Sequence, residues 1–178
     1  MSNRYRGTTL EGNAVEVEVD EERIVAVEEI AADGALPLIA PPLVDLQHNG
    51  AKHLAFNRVH EAPETLETVA RHALRHGVGR LLATITTQAY EDSLESLKAI
   101  DQQLKADPFL ARCYPGIFFE GNYMSAEYGW RGVHPEQFMR DPSWVQWEEL
   151  YKASGQRIVK FNIDPSRSGA MQTVRAAA

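Results

Sequence analysis

A chain of 178 residues, 44% hydrophobic and 24% charged, can bury one respectable core and has the balance of an ordinary globular protein; length alone suggests a single domain. Its net charge of -7 and pI near 5.4 leave no basic footprint for nucleic acid or an anionic membrane. A lone cysteine, Cys113, excludes an internal disulfide, nothing at the N-terminus reads as a secretory signal, and no apolar run is long enough to span a bilayer, so the cytoplasm is the expected compartment.

The first 34 residues are polar. Strict alternation at Ala14-Val15-Glu16-Val17-Glu18-Val19, followed by the turn-like Asp20-Glu21-Glu22 and by Ile24-Val25-Ala26-Val27, predicts two half-buried strands paired as a hairpin. Residues 31–35 read as a connector. From Leu38 an apolar stretch interrupted by Pro41 and Pro42 leads to a short strand, Leu43 to Leu46, which delivers Asp45, Gln47, His48, Asn49 and Gly50 in succession. Alternate side chains of a strand share a face, so Asp45, Gln47 and Asn49 are expected on one side and His48 on the other.

A polar loop, residues 51–61, holds His53 and His60. Pro63 can then occupy the first turn of a helix whose apolar side is Leu66, Val69, Ala70, Ala73 and Leu74, ending at Gly77. His72 and His76 have a spacing compatible with metal ligation, but no acidic or cysteine partner accompanies them and they read as surface histidines. Residues 79–87 form a second buried strand ending in hydroxyls. A helix over 91–105 follows, with Leu94, Leu97, Ile100 and Leu104 on one face, and Asp107-Pro108 stops it.

The third strand, residues 114–122, places Glu120 directly after an apolar run. A carboxylate at the C-terminal end of a buried parallel strand is costly to ionise unless it is paired or bound to a cation, which makes Glu120 the expected chemical centre. His134 follows on a loop. Asp141 and Pro142 are expected as N-cap and first residue of a helix with Trp144, Trp147, Leu150 and Tyr151 on its apolar side and Gly155 at its end; the tryptophans read as core rather than as a sugar platform. A fourth strand, 157–161, leads to Asp164. Ser168 can cap a last helix from Gly169, with Met171 and Val174 on its apolar side, running into Ala178. Strand and helix repeated four times after a hairpin point to a parallel sheet with covering helices, half of an eight-stranded barrel.

The segment Pro41-Pro42-Leu43-Val44-Asp45-Leu46-Gln47-His48-Asn49-Gly50 resembles the first barrel strand of the amidohydrolase superfamily, and specifically of N-acetylglucosamine-6-phosphate deacetylases, some of which carry Gln-x-Asn-Gly where most relatives have His-x-His. Further segments are similar to the family's in the family's order. Residues 84–87 resemble Leu-Ile-Thr-Thr. Glu120-Gly121 matches the core of Gly-x-His-x-Glu-Gly-Pro-Phe, with Phe118 near the histidine and Asn122 at the proline. Residues 129–135 resemble Lys-Gly-Ala-His-x-Pro, and Asn162-Ile163-Asp164-Pro165 loosely resembles a segment ending in Ala-Pro-Glu.

The resemblance implies an α/β fold: a partial (β/α)8 TIM-type barrel of about four βα units, residues 39–178, preceded by N-terminal strands of a small β-sandwich, residues 1–38. It implies a metal ligand at Glu120, a substrate contact at His134, and Gln47, Asn49 and Asp164 lining the site. The family's two further metal-binding histidines and its general acid and base, an aspartate, would lie beyond residue 178. This chain alone is therefore expected to be truncated and inactive, with no catalytic residue of its own. The complete enzyme would hold one divalent metal, zinc or iron, because the amides of Gln47 and Asn49 replace the histidine pair that elsewhere holds a second. It would hydrolyse the acetamide of an amino-sugar phosphate and form a homo-oligomer. The alternatives are an amidohydrolase of another substrate, and a non-catalytic half-barrel that acts by association.

Overall fold

The computed structural model describes residues 2–177, and the chain divides into two compact units, Met1–Pro42 and Leu43–Ala178. The first is an antiparallel sheet of β1 (Asn3–Thr8), β2 (Ala14–Asp20) and β3 (Arg23–Glu29), with β2 central. The expected hairpin is β2–β3. Its turn places Glu21 and Glu22 at φ 45° and 68°, the left-handed conformation whose twist suits a two-residue hairpin loop. Strand β1 has no apolar alternation to announce it. It is held by its backbone ladder to β2 and by ion pairs from Arg4 to Glu16 and Glu18 and from Arg6 to Glu16.

The second unit is built on a parallel sheet. Its strands are β4 (Leu43–His48), β7 (Val78–Thr86), β8 (Gly116–Glu120) and β9 (Ile158–Phe161), adjacent in that order; the short pair β5 (Gly50–Ala51) and β6 (Leu54–Ala55) follows β4. Helix α1 (Thr65–Arg75) connects β4 to β7, α2 (Tyr90–Ala106) and α3 (Pro108–Cys113) connect β7 to β8, α4 (Trp144–Ala153) connects β8 to β9, and α5 (Ala170–Ala177) follows. These are four successive βα units with a parallel sheet, as the sequence pattern predicts. Among the described residues no helix is long and apolar enough to cross a membrane.

Strand alternation sorts the sheet into two faces. Leu81, Ala83 and Ile85 of β7, Ile117 and Phe119 of β8 and Ile158 of β9 join the core formed with Leu66, Val69 and Ala70 of α1, Leu97, Ile100 and Leu104 of α2, and Trp147 and Leu150 of α4. Leu82, Thr84 and Phe118 are also buried but lie outside that core, and Lys160 places its Nζ 3.9 Å from the centre of the Phe118 ring. Glu120, two residues after Phe118, shares that second face.

Several local expectations are corrected. The loop over 51–61 is not simply polar: Lys52 and His53 turn the β5–β6 hairpin, and a 3-10 turn at Phe56–Arg58 sinks Phe56 and Val59 completely. Leu74 is 43% exposed, and α1 buries Thr65, Leu66, Val69, Ala70 and Ala73 instead. Asp107-Pro108 ends α2 and also starts α3, the Asp107 carboxylate accepting from the Phe109 N–H. Helix α4 begins two residues later than expected, with Ser143 at its N-cap, because Asp141 accepts from Arg167 Nε at 3.0 Å instead of capping. In α5 the buried residues are Ala170 and Thr173, and Met171 is exposed. Ala178, the expected end of that helix, lies outside the described residues.

Candidate functional site

The C-terminal ends of β4, β7 and β8 meet around a cavity of about 160 Å³ lined by Asn49, Thr86, Thr87, Glu120, Val133, His134 and Pro135. Glu120 is the last residue of β8, carried there by four buried residues, Gly116 to Phe119, and its own side chain is only 12% exposed. Gln47, near the end of β4, donates from Nε2 to Glu120 Oε1 at 2.8 Å. His134 comes in on the loop between β8 and α4 and sets Nε2 3.9 Å from the same oxygen. One carboxylate thus faces an amide donor and an imidazole at the mouth of the sheet.

His48 faces away, as alternation requires. Its ring meets Phe56 edge-on and its Nδ1 accepts from the Gly50 N–H. Asp164 stands elsewhere: it lines a second, larger cavity of about 750 Å³ with Met124, Glu127, Trp130 and Phe161. The hydroxyl and then the backbone N–H of Ser166 donate to its carboxyl and hold it below the usual carboxylate range. The structure therefore brings Gln47, Asn49 and His134 around Glu120 and places Asp164 in a different cavity.

Two further residues support the cavity. Asn57 accepts from the backbone N–H and the hydroxyl of Thr86 and donates to the Thr86 carbonyl, which fixes the end of β7. Periodicity gives no sign of it, since it is one polar residue in a loop. Asn122, at φ 56° and nearly fully buried, donates its side-chain amide to the carbonyls of Gln88 and Phe138, and its backbone carbonyl accepts from the Arg140 N–H, which ties the 129–140 loop to the sheet. The rings of His72 and His76 lie 4.5 Å apart between centres and tilted by 54°, and His76 Nδ1 lies 2.9 Å from the His72 carbonyl.

Among the described residues no three of His, Cys, Asp and Glu come together to hold a metal ion. Gln47 moreover turns a nitrogen, not an oxygen, towards Glu120. A catalytic zinc takes three protein ligands, and amide nitrogen is not one of its donors, so the residues of this chain do not by themselves fit such a centre.

No protein-family model matches the chain. It is 27% identical over 139 residues to an N-acetylgalactosamine-6-phosphate deacetylase of Escherichia coli O157:H7, a match covering 78% of this chain and 35% of that protein. The structure superposes on N-acetyl-D-glucosamine-6-phosphate deacetylase from Mycobacterium smegmatis with a TM-score of 0.79 at 23% identity, covering 99% of this chain and 47% of the other. The chain resembles the N-terminal part of the N-acetylglucosamine-6-phosphate deacetylases. The Thermotoga maritima deacetylase aligns similarly, with a TM-score of 0.77 at 20% identity over 99% of this chain and 46% of that one. These likenesses show the fold, an antiparallel N-terminal sheet followed by parallel βα units. The chain spans about half the length of the solved deacetylases and about a third of the curated relative. A mutant of the Mycobacterium smegmatis deacetylase was crystallised with N-acetyl-D-glucosamine-6-phosphate.

Proposed function

We propose that this chain supplies the first half of the active site of a metal-dependent amidohydrolase that removes the acetyl group from an amino-sugar phosphate. The observation that carries the reading is Glu120, a carboxylate at the C-terminal end of a buried parallel strand, with Gln47 and His134 turned to it at the edge of one cavity. Strand ends are where such barrels keep their chemistry. Glu120 contributes one ligand to a divalent metal; the remaining ligands and the general acid and base come from the other half of the barrel. His134 and Asn49 face the substrate, and Asp164 lines the neighbouring opening.

Relatives acting on both the glucosamine and the galactosamine phosphates support an N-acetylated hexosamine phosphate without fixing the configuration at C4. The test is acetate release from both epimers by this chain joined to the other half of the barrel. The expected result is turnover of at least one epimer, with E120A lowering kcat/KM about 1000-fold or more. Absence of acetate release from either, or an E120A variant as active as the parent, would overturn the reading.

A further inference from the structure

We propose that Thr87 is a positioning residue that fixes the tautomer of His134, so that the imidazole presents Nε2–H to the Glu120 cavity. Thr87 is 5% exposed, and its hydroxyl oxygen accepts from the Asn122 backbone N–H at 3.2 Å while lying 2.9 Å from His134 Nδ1. A hydroxyl has one proton to give and two lone pairs to receive. If His134 carried its proton on Nδ1, the Thr87 oxygen would accept twice and its own proton would be left without an acceptor in a buried position. If Thr87 instead donates to Nδ1, the hydroxyl proton and the Nδ1 lone pair satisfy one another, and buried polar groups strongly favour that outcome. The imidazole proton then sits on Nε2, the nitrogen 3.9 Å from Glu120 Oε1.

That separation is too long for a direct hydrogen bond. The Nε2–H is thus a donor held beside the carboxylate and available to an oxygen in the cavity that both groups border, such as a carbonyl or hydroxyl of a bound sugar derivative. Gln47 already donates to Glu120 Oε1, so the imidazole is not needed to satisfy that oxygen. Asn122 enters through its backbone. Its amide group anchors the neighbouring segments, and its N–H occupies one lone pair of Thr87 while leaving the hydroxyl proton free to point toward His134.

The proposal deepens the amidohydrolase reading, but its test needs neither metal nor substrate. Long-range 15N–1H correlation spectra of the 178-residue protein, recorded on the high-pH plateau of its histidine signals, identify which nitrogen of His134 carries the proton. The expected spectra show Nε2–H in the wild type and in T87S, and loss of that single tautomer in T87V. A wild type protonated on Nδ1 would overturn the proposal without recourse to any variant. So would a folded T87V that keeps the wild-type tautomer. Failure of the acetate assay would leave these spectra unchanged, so the two readings fail separately.

Discussion

Glu120 and Asp101 are the two carboxylates that the fold shields most tellingly, and they are handled in opposite ways. Glu120 has one neutral donor, the amide of Gln47, and stays available at a cavity. Asp101, buried on α2, is fully engaged by Lys105 at 2.6 Å and Arg157 at 3.0 Å. Burial alone would raise the Asp101 carboxyl, but those two hydrogen-bonded cations outweigh it and hold the group below its ordinary range. A carboxylate so depressed stabilises the fold above its unfolded pKa, and that contribution is lost as the pH falls through the folded value. D101N is therefore expected to cost about 2 kcal/mol at neutral pH, with the gap to wild type narrowing from about pH 4 downward, as measured by denaturant unfolding across pH. The sequence nominated Glu120 because a charge after an apolar run has few innocent explanations. It could not nominate Asn57, whose role rests on meeting Thr86 across 29 residues of chain.

Among the elements, those with apolar periodicity were legible and those held by local polar chemistry were not. Strands β7 and β8 and helices α1 and α2 follow their patterns. Strand β1, held by arginine–glutamate pairs, and α3, started by the same Asp107-Pro108 that ends α2, carry no periodic signal. The 3-10 turn after β6 is the costliest omission. Its Phe56 is completely buried, edge-on to Tyr114 at 5.7 Å between ring centres, so F56A should lose about 3–5 kcal/mol in unfolding experiments. Helix ends make a matched comparison. Gly77 (φ 80°) and Gly155 (φ 62°) both adopt the left-handed conformation, but a Cβ at Gly77 meets open space, whereas one at Gly155 would lie 2.1 Å from Asp101 Oδ1. G77A should cost about 1 kcal/mol, and G155A about 3, because the carboxylate it displaces is the one gripped by Lys105 and Arg157. Equal losses in thermal unfolding would contradict this account of the α4–β9 turn.

At the scale of the whole molecule, the four-stranded sheet has two unpaired edges, β4 and β9, and leaves Leu43, Val44, Leu46 and Val159 exposed. Open apolar edges promote association, so the 178-residue chain prepared alone should run above 19.9 kDa in light scattering, and V44K with V159K should shift it towards the monomer. The repeat of strand and helix made the half-barrel readable from sequence, because each parallel crossing needs a helix of its own. Which strand ends share a cavity was less readable. Gln47 and His134 reach Glu120, but Asp164 turns into the neighbouring opening, where Ser166 supplies its hydrogen bonds. The central claim, that Glu120 holds the single metal of a barrel this chain half completes, is tested most directly by elemental analysis of this chain joined to the other half. One equivalent of a divalent metal, lost in E120A, is the predicted result; two equivalents, or one retained in full by E120A, would contradict it.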